Sequence, residues 1–476
     1  MKRCHSTVFS RPTTRLLPAL ILSAALSAPA ANLEAGIAAT DITPPVPYRM
    51  SGYFRERLST GVHDPLYAKA IALKQGDQAA VLVFCDLIGI APEVSRNARQ
   101  RAAEKTGIPA TNILIAATHS HTGPLYFGAL HKYFHDRAIQ EHGSDPHETV
   151  DYTEFVSQQL ADVIAAACAA ARPIDLGAAV ATQTGLSFNR RFHMKGGGPV
   201  RFNPGKLNPK ILRPAGPIDP QLGVFLARSH DTQEPLFSLS VFSLHLDTVG
   251  GTEYAADFPY YLGQVLQGQF GDAFTSVFAQ GTCGDINHVD VSHKRPQKGH
   301  EEAHRIGTAL GETVVAAMRG LKPIAEPALA VRSTLVDVPL RPCPPEDITR
   351  AQEDIAQVAD SKIPFLERVA TARVMGQALR GGTTLPMEVQ VFRLNADAAL
   401  VALPGEIFVD LGLAIKQASP FPITLVLELA NDAPGYVPTA KAFEEGSYET
   451  VNSIIQSGGG EMLVDTALAL LRELAA

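Results

Sequence analysis

The chain has 476 residues, of which 46% are hydrophobic and 19% charged, so it can bury a large core. Its net charge is −7, and no run of Lys or Arg occurs beyond the N-terminus, which excludes a nucleic-acid-binding class. The composition is therefore that of an ordinary globular protein.

The first thirty residues differ from the rest. Basic residues precede an apolar run over 16–26, and small residues follow it around Ala28-Pro29-Ala30. This order is typical of a secretory signal peptide. We predict a signal peptide over 1–30 and a single domain over 31–476, in a secreted or periplasmic protein. An uncleaved membrane anchor is the alternative.

Taken in order, the first half of the chain alternates apolar runs with helical patterns. Strands are predicted over 79–84 and 113–117, and helices over 93–107 and 150–172. The segment 131–147 is charged and rich in histidine, and we expect an exposed loop. Its four histidines are expected to be solvated: His131, His135, His142 and His147.

The second half continues the pattern. Strands are predicted over 236–244, 274–279, 389–394, 399–403 and 423–429, with the third and fourth forming a hairpin. Helices are predicted over 257–267, twice within 345–380, and over 462–474. The sequence thus predicts an α/β fold with mixed β-sheets flanked by helices.

Six of these strands end on, or run into, a residue that binds metal ions or transfers protons. The six are Asp86, His119, His245, Asp285, Glu406 and, after a loop, Tyr436. Functional groups of α/β sheets gather at the carboxyl ends of strands. Two histidines and a carboxylate suit zinc, so we predict a metal site at these strand ends. Asp86 and Asp247 are expected to have structural or supporting roles.

The clearest local motif is Thr118-His119-Ser120-His121-Thr122-Gly123-Pro124, which follows the strand 113–117. Residues i and i+2 of an extended segment point to one side, so both imidazoles can face one point. Two solvated surface histidines are the alternative for this motif taken alone.

A second metal motif competes with this one. His300-Glu301-Glu302-Ala303-His304 satisfies the HExxH pattern of zinc metalloproteases. It follows a polar stretch and contains Glu302, so we interpret it as the exposed first turn of an amphipathic helix.

The residues around 117–124 resemble the neutral/alkaline (non-lysosomal) ceramidase family. The resemblance spans about 38–449 and includes five further segments. These are Asn189-Arg190, the strand ending at His245, Gly284-Asp285, Pro404-Gly405-Glu406, and Asn431-Asp432 through Val437.

The resemblance implies a zinc-dependent amidase that releases a fatty acid from ceramide. It implies four zinc ligands: His119, His245, Glu406 and Tyr436. It also implies that His121 and Arg190 contact the scissile amide and its oxyanion, and that Tyr448 is a second tyrosine at the site.

Two departures from the family pattern bear on the substrate. Asn287 occupies the position of a family serine in the run Gly284 to His288, and an amide is neither a nucleophile nor a base. The chain is also expected to lack the family's C-terminal immunoglobulin-like domain.

These features predict hydrolysis of ceramide or a related N-acyl lipid by zinc-activated water, with possible transient contact with a membrane surface. The proton donor remains open among His121, Tyr448 and Asp285, and Asn287 can donate its amide hydrogen. Two alternatives stay open. One is a zinc hydrolase of the same fold acting on an ester, lactone or glycoconjugate; the other is a non-catalytic exported binding protein.

Overall fold

Two β-sheets pack face to face, and helices cover the outer faces of both. The structure is a computed structural model that describes residues 1–8, 32–359 and 363–476. Asn32–Ala476 forms one compact unit. Most of the predicted signal peptide lies outside the described residues.

The strands of the described part, in chain order, are β1 (Glu34–Asp41), β2 (Gly61–Val62), β3 (Tyr67–Gln75), β4 (Gln78–Cys85), β5 (Ile113–Ala117), β6 (Arg172–Thr182), β7 (Phe188–Asn189), β8 (Arg191–Met194), β9 (Arg201–Phe202), β10 (Ile211–Pro214), β11 (Gln221–Ser229), β12 (Pro235–Phe242), β13 (Glu253–Tyr254), β14 (Thr275–Gln280), β15 (Ile286–Asn287), β16 (Lys322–Pro323), β17 (Ala330–Pro339), β18 (Thr384–Arg393), β19 (Ala398–Ala402), β20 (Glu406–Ile407), β21 (Ile423–Leu427) and β22 (Tyr436–Val437).

The α-helices of the same part are α1 (Pro92–Thr106), α2 (Gly128–His142), α3 (Tyr152–Ala169), α4 (Phe258–Phe270), α5 (His300–Ala317), α6 (Pro345–Asp354), α7 (Phe365–Arg380), α8 (Val409–Ala418), α9 (Ala440–Glu445), α10 (Tyr448–Asn452) and α11 (Gly459–Ala475).

The larger sheet has the order β14-β12-β11-β6-β1-β3-β4-β5, with β16 added beside β6, and the smaller has the order β17-β18-β19-β21. Both are mixed: β4–β5, β12–β14 and β19–β21 are parallel, whereas the other pairs are antiparallel. The predicted α/β class with mixed sheets flanked by helices is confirmed.

Alternation along the strands builds the layers. In β5, Ile113 and Ile115 join the core beneath α1 and α3, whereas Leu114 and Ala116 join the core between the two sheets. Because both faces of the strand are buried, its sequence is continuously apolar rather than alternating. Two further cores lie beneath α4 and α5 on the larger sheet and beneath α8 and α11 on the smaller.

Both edges of the larger sheet reach the same part of the smaller sheet. Ala116 of β5 forms a bridge to Ala430, and Gly281, just after β14, forms a bridge to Leu427. The edge strands β5 and β14 are distant in sheet order but meet at the end of β21. This closure brings the strand ends carrying His119 and Glu406 together.

One predicted element is wrong. Most of the expected loop over 131–147 belongs to α2, which ends at His142 and is followed by Gly143 in the left-handed conformation. Phe134 and Ala138, four residues apart, bury one face of this helix, and that spacing outweighs its polar composition. No helix of the described residues combines the length and the apolar character needed to cross a bilayer.

Candidate metal centre

His119 is fixed by the turn that ends β5. Its N–H donates to the Leu87 carbonyl at 2.9 Å, and its backbone has a positive φ of 77°, which is uncommon for histidine. Its ring Nδ1 lies 2.6 Å from the Ile88 carbonyl oxygen. The side chain is 3% exposed.

His245 follows β12, which lies near the opposite edge of the larger sheet from β5, and its ring reaches the same point as that of His119. Three residues after β12 its ring Nδ1 lies 3.2 Å from the Cys283 carbonyl oxygen, and its Nε2 lies 2.9 Å from His119 Nε2. His121 Nε2 is 3.4 Å from His119 Nε2, so both histidines of the predicted motif do face one point.

The contacts of the two rings indicate which of their nitrogens can bind a cation. A carbonyl oxygen only accepts hydrogen bonds, so the Nδ1 atoms of His119 and His245 carry the ring hydrogens. Their Nε2 lone pairs then face each other at 2.9 Å in a buried space. Outer-shell bonds from Nδ1 to a carbonyl are the arrangement that orients metal-ligating histidines.

Glu406 supplies a carboxylate to this space. Its Oε2 lies 3.4 Å from His119 Nε2 and 3.5 Å from His245 Nε2, and this buried oxygen has no hydrogen-bond partner in the described part of the chain. Ligands at about 2.0–2.1 Å from a tetrahedral zinc lie roughly 3.3 Å apart. The observed separations of 2.9–3.5 Å match the edges of such a tetrahedron.

Backbone register places Tyr436 beside Glu406. The short parallel strands β20 and β22 pair Glu406 with Tyr436, which puts adjacent side chains on one face. Gly405 precedes this pair with φ 88°, and a Cβ there would lie 2.7 Å from the Gly435 carbonyl oxygen. The Pro-Gly-Glu segment thus requires glycine for both conformation and space.

The electrostatic surroundings of the histidine cluster favour the binding of one positive charge. Burial opposes the charged form of His119, but neighbouring Glu406 raises its pKa above the ordinary value. Burial and Arg190 lower the pKa of His245, and burial together with His119 lowers the pKa of His121 to about 4. Only one imidazole therefore attracts a proton readily, and a metal ion would compete for that place.

Arg190 is anchored next to this cluster. Its Nε donates to Glu449 at 2.9 Å, and its Nη2 donates to the Tyr436 hydroxyl at 3.0 Å and to the Gly284 carbonyl at 2.8 Å. Tyr436 donates onward to the Tyr448 hydroxyl at 3.4 Å. The structure thus brings Arg190, Tyr436 and Tyr448 into one chain of contacts.

The remaining two predicted residues, Asp285 and Asn287, form hydrogen bonds with residues other than the candidate ligands. Asp285 accepts hydrogen bonds from the Val409 N–H at 2.9 Å and from Asn189 Nδ2 at 2.7 Å. Asn287 accepts from the Val289 N–H at 3.0 Å and donates to Asn203 at 3.2 Å. Burial raises the pKa of Asp285 to about 6. Catalytic roles for both stay predictions.

Sequence reasoning missed the groups that support the ligands. Glu449 is fully buried beside Arg190, and Glu428 accepts from the Cys283 thiol and N–H, both at 3.0 Å, where Cys283 contacts His245. Burial raises the pKa of Glu428 to about 8. Each partner is more than a hundred residues away in the chain, so no local motif indicates these contacts.

The expected supporting roles of two aspartates agree with their contacts. Asp86 accepts from the Tyr67 N–H at 2.9 Å and from the Thr118 hydroxyl at 3.3 Å. Asp247 lies 3.1 Å from His288 Nδ1.

The HExxH segment does form the first turn of α5, but the prediction that this turn is exposed is wrong at Glu302, which is buried. Its histidines serve different contacts: the His300 ring stacks on His63 at 3.6 Å, and the His304 ring packs edge-on against Tyr261 at 5.1 Å. Glu302 is bound by Arg295 and Arg305.

Aromatic side chains border the outer side of the cluster. Tyr448 packs against Phe202 at 4.7 Å and against Phe365 at 5.2 Å, and Phe54 contacts Phe365 at 6.0 Å. The Tyr53 ring lies 6.4 Å from His121. Phe365 is 38% exposed and Tyr53 41%, so apolar surface at the opening remains in contact with solvent.

No family model matches the sequence, and no curated protein matches it. Solved structures do. Neutral ceramidase from Pseudomonas aeruginosa superposes with a TM-score of 0.69 at 19% identity, over 94% of this chain and 75% of its own. The chain has the neutral ceramidase fold. A structure of ceramidase complexed with C2 gives a TM-score of 0.68 at 19% identity, over 93% of this chain and 76% of its own.

This match confirms the predicted resemblance to the neutral ceramidases at the level of fold. Of the ligands predicted at the strand ends, His119 and His245 lie with His121 in a group that could hold a metal ion, with ligand atoms within 4.8 Å of one another. The predicted ligand roles of Glu406 and Tyr436 stay predictions. The structure therefore combines the neutral ceramidase fold with a buried histidine group that could hold a metal ion.

Proposed function

We propose that the protein is a zinc hydrolase of the amide bond in ceramide or a related N-acyl lipid. Zinc would be held by His119, His245 and Glu406, with Tyr436 as the fourth ligand. The observation that carries this proposal is the pair of buried Nε2 atoms that lie 2.9 Å apart, beside a carboxylate oxygen without a hydrogen-bond partner in the described part of the chain. Bound zinc would supply Lewis acidity and lower the pKa of water to about 7.

His121 is the proton carrier in this proposal. It is partly exposed beside the proposed ligands, so its imidazole can accept a proton from the attacking water. The same imidazolium then returns that proton to the amine nitrogen as the C–N bond breaks. Asp285 is less suited, because its carboxylate oxygens already accept from Val409 and Asn189.

Arg190 and Tyr448 stabilise the developing oxyanion. The Arg190 guanidinium is held in place by Glu449 and Gly284, so its charge is preorganised, and one such donor contributes roughly 3 kcal/mol. Tyr448 is the partly exposed end of the same contact chain and can donate its hydroxyl hydrogen.

Attack is direct, with no acyl-enzyme. Asn287 stands at the position where the family has a serine, and its amide is held by Val289 and Asn203. An amide cannot form an ester with the acyl group, so water delivers the oxygen of the acid product.

The aromatic side chains beside the cluster would suit the apolar acyl chain of such a substrate. Phe54, Phe202 and Phe365 form a continuous aromatic border from the solvent to Tyr448. Exposed apolar surface at the site entrance also supports transient contact with a membrane surface, as expected for a secreted or periplasmic enzyme with a lipid substrate.

The test combines zinc analysis with a panel of ceramides, N-acyl amino acids and acyl esters. We expect zinc-dependent release of fatty acid from an N-acyl substrate, which chelation abolishes and zinc restores. His119→Ala should abolish release, whereas His304→Ala, at an unrelated helix position, should not. Release of acid only from esters would assign a different substrate class, and full zinc-loaded protein without any turnover would indicate a binding protein.

A further inference from the structure

Two of the α2 histidines that we expected to be solvated lie in a second cluster of possible metal ligands. His131 and His135 are four residues apart on one face of α2, and their rings stack at 5.8 Å with planes 22° apart. His131 Nε2 lies 3.0 Å from Glu148 Oε1, and His135 Nδ1 lies 3.0 Å from Glu148 Oε2. Asp145 Oδ2 lies 2.9 Å from the same His135 nitrogen.

Three of these side chains, His131, His135 and Glu148, have ligand atoms within 4.8 Å of one another, which is the donor set of a zinc site. Two imidazoles and a carboxylate are ligands that zinc accepts, and an i, i+4 histidine pair on a helix presents both rings to one point. The contacts from Glu148 to the two rings are 3.0 Å long, and tetrahedral ligands lie roughly 3.3 Å apart, so these two contacts need to lengthen by only a few tenths of an ångström.

Charge also favours a cation here. Three carboxylates, from Glu56, Asp145 and Glu148, are shared by two guanidinium groups, from Arg49 and Arg137. The carboxylates therefore exceed the guanidinium groups by one negative charge, which lies beside the two imidazoles. Asp145 and Glu148 are buried to side-chain exposures of 3% and 10%, whereas His131 and His135 are 22% and 35% exposed, which leaves a route for an ion.

The cluster is connected to the candidate metal centre through one loop. Glu56 binds Arg49 and Arg137, and it lies on the segment 51–57. In that segment, Arg57 donates to the His121 carbonyl at 2.8 Å, and its guanidinium lies 4.2 Å from the centre of the Tyr53 ring. The α2 cluster and the loop that borders His121 are thus joined through Arg49, which contacts both Glu56 and Glu148.

We propose that His131, His135 and Glu148 form a second, structural site for a divalent transition metal, with Zn²⁺ as the ion that fits best. The site is separate from the His119 cluster and does not depend on the proposed hydrolysis. Its occupation fixes α2 to the segment that carries Glu148.

The test counts zinc bound by the full-length chain. Metal-free protein is titrated with Zn²⁺, desalted and analysed for metal content. His131→Gln combined with His135→Gln should lose one ion per chain relative to the unsubstituted protein. The matched control replaces His142 and His293, two exposed histidines (side chains 57% and 59% exposed), by glutamine and should lose none.

A second comparison separates this site from the candidate metal centre. His119→Ala should lose a different ion, so that its combination with the α2 double variant loses both. If only His119→Ala changes the metal content, the second site does not exist. If only the α2 variant changes it, the second site stands and the proposed hydrolase centre does not.

Thermal unfolding provides the readout that guards against misfolding. In chelator, the unsubstituted protein, the α2 variants and the control should unfold at similar temperatures. Zn²⁺ should raise the midpoint by a few degrees more for the unsubstituted protein than for His131→Gln alone, which leaves His135 on its carboxylates. An equal rise in both proteins would overturn the proposal.

Discussion

The buried ion pair between Arg190 and Glu449 predicts a large cost when one charge is removed. The side chains are 2% and 0% exposed, and Arg190 Nε lies 2.9 Å from Glu449 Oε1. Two unit charges about 4 Å apart attract by about 4 kcal/mol at an effective dielectric constant of about 20. Removing one partner of such a pair typically costs about 3–5 kcal/mol, because the other charge stays buried.

Glu449→Gln removes the charge while keeping size and one acceptor oxygen. We therefore expect the free energy of unfolding to fall by about 3 kcal/mol, the lower end of that range. Because Arg190 also donates to Tyr436, zinc affinity or turnover should fall by roughly 10–100-fold, as for other groups that orient metal ligands.

Urea unfolding measures the first effect, and zinc titration with fatty-acid release measures the second. Glu154→Gln is the matched control, since Arg101 and Glu154 lie 2.8 Å apart but are 31% and 57% exposed, and it should leave the unfolding midpoint in place. Arg190→Met with Glu449→Met should recover only part of the stability and none of the activity, because buried Arg191 also lies 3.8 Å from Glu449. Equal stability of Glu449→Gln and the control would refute the reasoning.

Three further predictions follow from the same geometry. His245→Ala should strip zinc from the candidate centre, whereas His304→Ala should leave its content unchanged; metal analysis decides, and the reverse result would favour a metalloprotease. Asn287→Ala should slow turnover without abolishing it, and hydrolysis in ¹⁸O-labelled water should place one label in the acid; a trapped serine adduct would exclude this mechanism. Asn431→Ala should destabilise the protein by about 1–3 kcal/mol in urea unfolding, because it leaves the buried Ile115 N–H without its side-chain acceptor at 3.0 Å. An unchanged midpoint would contradict that role.

Strand ends were predictable because buried strands carry a strong local pattern. The run Ile113 to Ala117 is apolar at every position, and the structure places β5 over the predicted residues. The strands before Asp86, His245 and Glu406 were located to within a few residues for the same reason. Burial on both faces makes the sequence of such strands unambiguous once their length excludes a helix.

Helix α2 and the supporting groups were not predictable from local pattern. The polar residues between Phe134 and Ala138 hide a narrow buried face, so composition suggested a loop. The sequence around Glu449 and Glu428 does not indicate their roles, because each contacts a residue that only tertiary folding brings near. Their burial is a property of the closed pair of sheets and not of the segments that contain them.

Two of the segments that carry the resemblance to ceramidases hold the two sheets at a fixed distance. Asn431 has a positive φ of 61°, accepts from the Ile115 N–H, and donates to Gln390 at 2.7 Å, so its side chain joins β5 to the smaller sheet. Gly284 lies so close to the Glu406 carbonyl that a Cβ would be 2.4 Å from it. These contacts fix the distance between the strand end that carries His119 and the one that carries Glu406. Ligand residues alone would therefore not make the site, since three side chains on two sheets meet within hydrogen-bond distances only when the sheets are held in register.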